Sequence, residues 1–249
     1  MLLALVLGLC LGAAAGPLFA AARLGTAGAS PSGQLAIVSP MGGETQICLV
    51  DVRTGRQGQL SAPPGRSTAP AWSPDGRRIA FVKSTDQDTQ IYVMNADGRA
   101  SRRLTAPPGA SALPAWSPDG RKIAFVSTRG PGGPDIYVTD ADGIGQRRLT
   151  ASGENLVALW SPDAERIAYV SQEGRSPPEL YVMRADGSGQ LRLTTGGILL
   201  RPGAVHPAWS PDGRQIAYVS RVGRAEQEIF VINADGTGGT RLALSLIHI

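Results

Sequence analysis

Cysteine and histidine are nearly absent, with two of each in 249 residues. So few thiol and imidazole groups exclude a disulfide scaffold and a zinc ribbon, and Cys10 and Cys48 cannot make a metal site between them. Lysine is scarce as well: of 24 basic residues only Lys83 and Lys122 are not arginine. The arginines are evenly spread and the net charge is only +4, which argues against a nucleic-acid partner. Charged residues amount to 18%, too few for a coiled coil. The chain is nevertheless 42% hydrophobic, enough to bury a core, so disorder is excluded too. Glycine (32) and proline (19) are plentiful, about a fifth of the chain where ~12% is ordinary. With short Val/Ile/Tyr runs between them, this composition indicates many strands joined by many turns.

The two ends stand apart from the rest. Residues 1–22 carry no charge, and Arg23 is the first ionisable side chain. The segment is read as an apolar N-terminal helix, either a signal peptide with a small-residue site at Ala20-Ala21-Ala22 or a membrane anchor of the ~20 residues a bilayer needs. Export is the favoured reading. It places the body outside the cytoplasm, in the periplasm or secreted, with membrane contact only through this segment. Leu9 stands before Cys10 where a lipidation site wants a small residue. Residues 23–29 are read as a linker. At the other end, residues 244–249 break the pattern described below and are read as a non-native tail, with the natural chain continuing and taking at least one further blade with it.

Between the ends lies a repeat. Trp72-Ser73-Pro74-Asp75-Gly76 recurs at Trp116–Gly120, at Trp160–Ala164 and at Trp209–Gly213, with tryptophan spacings of 44, 44 and 49 residues. Each copy is followed by an apolar run (Ile79–Val82, Ile123–Val126, Ile167–Val170, Ile216–Val219) and then by a second (Ile91–Met94, Ile136–Val138, Leu180–Met183, Ile229–Ile232). Ala-Asp-Gly (Ala96–Gly98, Ala141–Gly143, Ala185–Gly187, Ala234–Gly236) and a closing Arg-Leu follow. A weaker copy opens the array, with Ser30-Pro31-Ser32-Gly33, the runs Leu35–Val38 and Ile47–Val50, and no tryptophan. Repeats therefore run near 30–61, 70–105, 114–150, 158–194 and 207–243.

The chemistry of one unit is that of a small antiparallel sheet. In Ser-Pro-Asp-Gly, proline fixes the second position, aspartate bonds its own backbone and glycine accepts a left-handed φ; Ala-Asp-Gly between two strands is a hairpin signal. Ala164 in the third tryptophan unit replaces that glycine, at a cost in strain or a changed turn. The runs are apolar at successive positions, so each sheet must be covered on both faces. Units of this length and kind stack as blades, giving an all-β β-propeller of four-stranded antiparallel blades, about five of them, the first without its tryptophan-bearing inner strand and the ring incomplete. The strand that completes the first blade is expected from the chain's C-terminal end.

The pattern W-S-P-D-G, I-A-F-V-S, I-Y-V-M-N-A-D-G, R-L-T resembles the propeller repeat of the TolB family. That resemblance covers residues 30–243 and implies a propeller of about six blades, acting without catalysis as a protein-binding scaffold in the bacterial cell envelope. TolB-type proteins carry an α/β domain before the propeller, and here only a short segment separates Arg23 from the first repeat. Similar repeats occur in the propellers of prolyl-oligopeptidase-like serine peptidases, where the propeller gates a catalytic domain, and in membrane-anchored sensors.

Expected catalytic, cofactor-binding and metal-binding residues are none, and no cofactor is implied. There is no Gly-x-Ser-x-Gly elbow. His206 has no nucleophile beside it in the sequence. Asp140-Ala141-Asp142-Gly143 echoes the start of a calcium loop but lacks the later carboxylates, so it is read as a hairpin turn, as Asp75, Asp119, Asp163 and Asp212 are read as turn-stabilising groups. The pairs Arg102-Arg103 and Arg147-Arg148 are read as charge on an edge strand, with an anionic envelope polymer or headgroup as the alternative partner. The longer loop 195–205, with Ile198–Leu200 expected at the surface, is the main departure from the repeat. A protein or envelope component is the expected partner.

Overall fold

The structure is a computed structural model that describes residues 33–198, 207–222 and 226–242. The apolar N-terminal segment, Cys10, the 23–29 linker, Leu199, Leu200, His206 and the tail 244–249 lie outside the described residues.

Every regular element among the described residues is a strand, and the strands form five antiparallel sheets. Blade one is β1 (Gln34–Met41), β2 (Glu44–Asp51) and β3 (Gln57–Gln59). Blade two is β4 (Arg66–Trp72), β5 (Arg78–Ser84), β6 (Thr89–Asn95) and β7 (Arg102–Arg103). Blade three is β8 (Ser111–Trp116), β9 (Lys122–Ser127), β10 (Asp135–Asp140) and β11 (Arg147–Arg148). Blade four is β12 (Glu154–Trp160), β13 (Arg166–Gln172), β14 (Glu179–Arg184) and β15 (Leu191–Arg192). Blade five is β16 (Ala208–Trp209), β17 (Gln215–Val222), β18 (Glu226–Asn233) and β19 (Thr240–Leu242). Within each blade the strand order follows the sequence, a meander from the first, innermost strand to a short outer one. Among the described residues blade one has three strands and begins at what is the second strand elsewhere; the chain before Gly33 lies outside the described residues.

The first strand of a blade lies against the middle strands of the blade before it: β4 on β1 and β2, β8 on β5 and β6, β12 on β9 and β10. Among the described residues no pair of elements in extended contact joins blade five to blade one, so the array is open. Its apolar interior is accordingly four seams. Ile47, Ile79 and Phe81 fill the first, Ile91, Ile123 and Phe125 the second, Ile136, Trp160 and Ile167 the third, and Val170, Leu180 and Ile216 the fourth. Burying each such side chain contributes about 1.5–3 kcal/mol. The unbroken apolar runs follow from this geometry: Lys122–Ser127 is exposed only at its first residue, because neighbouring sheets cover both faces. Cross-strand aromatic pairs recur at one register position, Phe81–Tyr92, Phe125–Tyr137, Tyr169–Tyr181 and Tyr218–Phe230, with centroids 5.2–5.9 Å apart, a spacing that favours offset stacking.

The innermost strands are less regular than their sequences suggest. β4 and β8 shift register against their neighbours, with Ala69 at φ 49° and Leu113 at φ 54°, and β12 shifts between Asn155 and Val157. These are bulges. Pro70 and Pro114 follow them on a strand whose inner edge has no strand partner, where a missing N–H costs nothing. Ile198 corrects an expectation: it is only 4% exposed and packs with Val170, Leu180 and Ile216 in the fourth seam. An apolar residue in a long loop reads as exposed when only its sequence neighbours are considered; here the Ile198 amide donates to the Pro178 carbonyl at 2.8 Å and holds the residue against the blade.

Candidate binding face

The meander sorts the connections onto two faces. On one face lie the turns between first and second strands and those between third and fourth. On the other lie the second-to-third connections and the links from blade to blade.

The first face varies by no more than one residue in turn length and is internally satisfied. In blade two the Ser73 hydroxyl donates to Asp75 at 2.6 Å, the Asp75 carboxylate accepts the Arg77 amide at 3.1 Å, and Ser73 Oγ accepts the Arg78 amide at 2.9 Å. The same set recurs around Ser117–Asp119, Ser161–Asp163 and Ser210–Asp212. The serine hydroxyl beside Asp75, Asp163 and Asp212 holds each carboxyl below its usual range; at Asp119 burial opposes this and the bonds from Ser117 and Arg121 prevail. Ala164 adopts φ 61°, as Gly76 does at 68°, so the turn is kept and the strain is borne. The second turn is equally closed: Asp97, Asp142, Asp186 and Asp235 each accept the backbone amide two residues on. Asp140 is ion-paired to Lys122 at 2.7 Å. Among the described residues no group of three or more His, Cys, Asp or Glu side chains can hold a metal ion.

Arg102 and Arg103 are engaged differently. Arg102 reaches into the next blade, donating to the carbonyls of Asp142 at 2.7 Å and Ala141 at 3.0 Å. The arginine of the closing Arg-Leu pairs within its own blade with an acid in or just before the third strand: Arg103 with Asp88 and Arg148 with Asp135 at 2.5 Å, Arg192 with Glu179 at 2.9 Å, and Arg241 with Glu228. Arg102, Arg103, Arg148, Arg192 and Arg241 are thus engaged by other groups of the fold.

Beneath the second face lies a buried polar row that the sequence reading passed over. Gln46, Gln90, Asp135 and Glu179 are at most 4% exposed. Each pairs with a hydroxyl beyond the outer strand, Ser61, Thr105, Thr150 and Thr194, and that hydroxyl also accepts the amide of the residue after the row position. Gln46 and Gln90 donate to the Gly65 and Gly109 carbonyls at 2.9 and 2.8 Å, and Glu179 accepts the Gly197 amide at 3.0 Å. The row thus pins the blade-to-blade links. Its signal was available: a polar amide or carboxylate stands before the second apolar run in every repeat.

Above this row the second-to-third connections vary. They are two residues in blade one (42–43), four in blade two (85–88), seven in blade three (128–134) and six in blade four (173–178), whereas the opposite turns between first and second strands are five residues throughout. Asp86, Gln87, Pro131, Gly132 and Glu173–Pro177 are exposed. Variable loops on a rigid repeated frame are where such folds place recognition.

The comparisons agree with this architecture. The family described as TolB beta propeller domain matches residues 26–198. No curated protein matches the chain in sequence. Among solved structures, TolB from Acinetobacter baumannii is similar with a TM-score of 0.67 and 28% identity, over 82% of this chain and 50% of its own. Putative TolB from Agrobacterium tumefaciens gives 0.62 and 23% over 79% and 73%. A puromycin-hydrolyzing peptidase of Mycobacterium tuberculosis shares the fold, with a TM-score of 0.66 at 18% identity over 90% of this chain and 40% of its own. The chain therefore spans about half the length of the Acinetobacter protein. By sequence family, blade chemistry and fold, it belongs to the TolB beta propeller domain family.

Proposed function

We propose that this propeller is non-enzymatic and extracytoplasmic, and binds another protein or an envelope component through its variable-loop face. The observation that carries this is the asymmetry between the faces. One face spends its aspartates and serines on turns of five or six residues, while the other raises connections of two to seven residues over a pinned polar row. Recognition there would rest on shape and hydrogen bonding by preorganised loops. The test replaces 128–134 and 173–178 with the two-residue Gly-Gly turn of blade one and measures recovery of cross-linked partners from cell envelopes. A folded variant that loses a partner held by the parent supports the reading. A partner lost instead when the opposite face is altered, for example at Arg121 and Arg214, overturns it.

A second reading has one observation in its favour, the shared fold with a peptidase of which this chain covers only 40%. There the propeller would gate access to a hydrolase domain. A longer reading frame containing a Gly-x-Ser-x-Gly region, and esterase activity in its product, would decide for it.

A further inference from the structure

The arginine that closes a blade makes the same bonds in blades two and four but not in blade three. Arg103 and Arg192 hold their acid through Nη2, and Nε of each donates to the carbonyl two residues on, Thr105 or Thr194, at 2.7 Å. Arg148 keeps its acid, with Nη2 2.5 Å from Asp135 Oδ2. Its Nε, however, is buried and among the described residues has no hydrogen-bond partner. The guanidinium is turned beneath the seven-residue loop 128–134, where Nη2 donates to the Pro131 carbonyl at 3.1 Å. A buried donor left unpaired costs free energy, so this placement gives up one carbonyl to reach another. A second observation comes from the loop itself. A Cβ at Gly130 would lie 2.9 Å from Tyr137 Oη and 3.1 Å from Arg148 Cζ, so the loop backbone rests on the guanidinium more closely than any residue with a side chain allows. Gly132 and Gly133 follow at φ 97° and 125°, and three glycines in this stretch leave the loop free to hinge.

The geometry points to Arg148 as a two-position latch on loop 128–134. In one position, that of the structure, it holds Pro131 and the loop lies down on it. In the other it takes the placement of Arg103 and Arg192, with Nε donating to the Thr150 carbonyl, and the loop is released. Asp135 stays paired through Nη2 in both, so one carbonyl acceptor is exchanged for another and the two positions are close in free energy. The length of the acid explains why blade three differs from blade four. Glu179, at the same row position, is one methylene longer, whereas the shorter Asp135 carboxylate draws the guanidinium inward. The far end of the loop stays fixed, because Asn155 of blade four donates to the Pro134 carbonyl from its amide at 2.9 Å and from Nδ2 at 3.2 Å. The latch then sets whether the longest loop of the binding face is flat or raised, and a partner that prefers one position shifts the balance by its differential affinity. That consequence rests on the loop-face reading; the latch itself does not.

Hydrogen exchange in two variants of the 15N-labelled full chain tests this. Asp135→Glu restores the acid length of blade four, where Glu179 keeps the same bond to its threonine. Gly130→Ala pushes the loop off the guanidinium. In both, backbone amides across 128–134 are expected to exchange about tenfold faster while those of 173–178 do not change. The Arg148 Nε–H, which exchanges faster than those of Arg103 and Arg192 in the parent, is expected to slow until it matches them. Opposite signs at loop and side chain mark a latch, since general loosening accelerates both. The indole resonances of Trp116 and Trp160, whose bonds cross the seams on either side of blade three, report that the blade is seated. An Arg148 Nε–H already as slow as the other two in the parent overturns the assignment. So do loop amides that stay protected in both variants, or an Arg148 Nε–H that gains no protection when they open. None of these results depends on a partner, so the latch can fail while the loop-face reading stands, and the reverse.

Discussion

The indole of Trp160 donates to the carbonyl of Ala115 across the seam between blades four and three, 3.1 Å away and 45 residues back in the chain. This one bond converts a sequence repeat into a spatial one, because it can form only when the next blade is seated. Trp160→Phe keeps an aromatic ring in the seam but orphans a carbonyl and leaves a gap. Unpaired buried polar groups cost about 1–3 kcal/mol and lost core volume adds to that. A destabilisation of about 2–4 kcal/mol is expected in urea unfolding; a loss below about 0.5 kcal/mol would show that the bond contributes nothing to seating.

Ala164 offers the opposite sign. It holds φ 61° in a turn whose other three copies use glycine at that position, and a left-handed alanine costs about 1–2 kcal/mol. Glycine gives part of this back as unfolded-state entropy. Ala164→Gly is therefore expected to stabilise the chain by about 0.5–1 kcal/mol, read as a higher urea midpoint at unchanged slope. A lower midpoint would mean that the methyl group, which packs against the third seam, matters more than the strain.

The turns, strand runs and seams were legible in the sequence because their causes are local: a proline and an aspartate at fixed offsets, or an apolar run with no polar alternate. Trp72–Gly76 announces its turn without reference to the rest of the chain. What escaped depends on contacts far apart in sequence. Ile198 is buried by Ile216 and Leu180, and the bulge at Ala69 answers to the seam it must follow. The polar row at Gln46, Gln90, Asp135 and Glu179 was readable as a repeat position, but its partners lie 15 residues on, beyond any turn-length pattern.

Acid should loosen the constant face first. The carboxyls of Asp75, Asp119, Asp163 and Asp212 are held below their usual range, so near the ordinary value of about 4 the unfolded chain binds protons that the folded one does not. Their stabilisation is complete above that pH and drains away as pH falls through the lowered folded values. Asparagine can accept the same turn bonds without titrating. Changing all four to Asn should leave a folded propeller whose urea midpoint falls less steeply between about pH 5 and pH 3 than the parent's. Equal slopes would show that these turns do not govern acid sensitivity.

The last prediction concerns two solutions to one problem. In blade four the Tyr169 hydroxyl donates to Gln190 Oε1 at 3.2 Å, and Gln190 Nε2 in turn donates to the Leu149 carbonyl of blade three. Burial pushes the Tyr169 phenol up, so it remains a donor at any physiological pH. Blade three has Phe125 at that position and no hydroxyl; its Gln146 makes the matching bond to the Leu104 carbonyl of blade two, while Oε1 accepts from Arg129. The Arg129 guanidinium lies 5.4 and 5.2 Å from the ring centroids of Phe125 and Tyr137 and also donates to Ser111 and Ser127. Arg129→Met keeps the stem and removes these bonds, a loss of about 1–2 kcal/mol for a partly exposed charged donor. Phe125→Tyr in that background supplies the hydroxyl as Tyr169 does and should restore about half of the loss. The same change with Arg129 in place should restore nothing, because the acceptor is already taken. A double-mutant cycle with a coupling near 1 kcal/mol is the expected result. Simple additivity would mean that Arg129 acts through its ring contacts alone, and that the two blades do not solve the seam in equivalent ways.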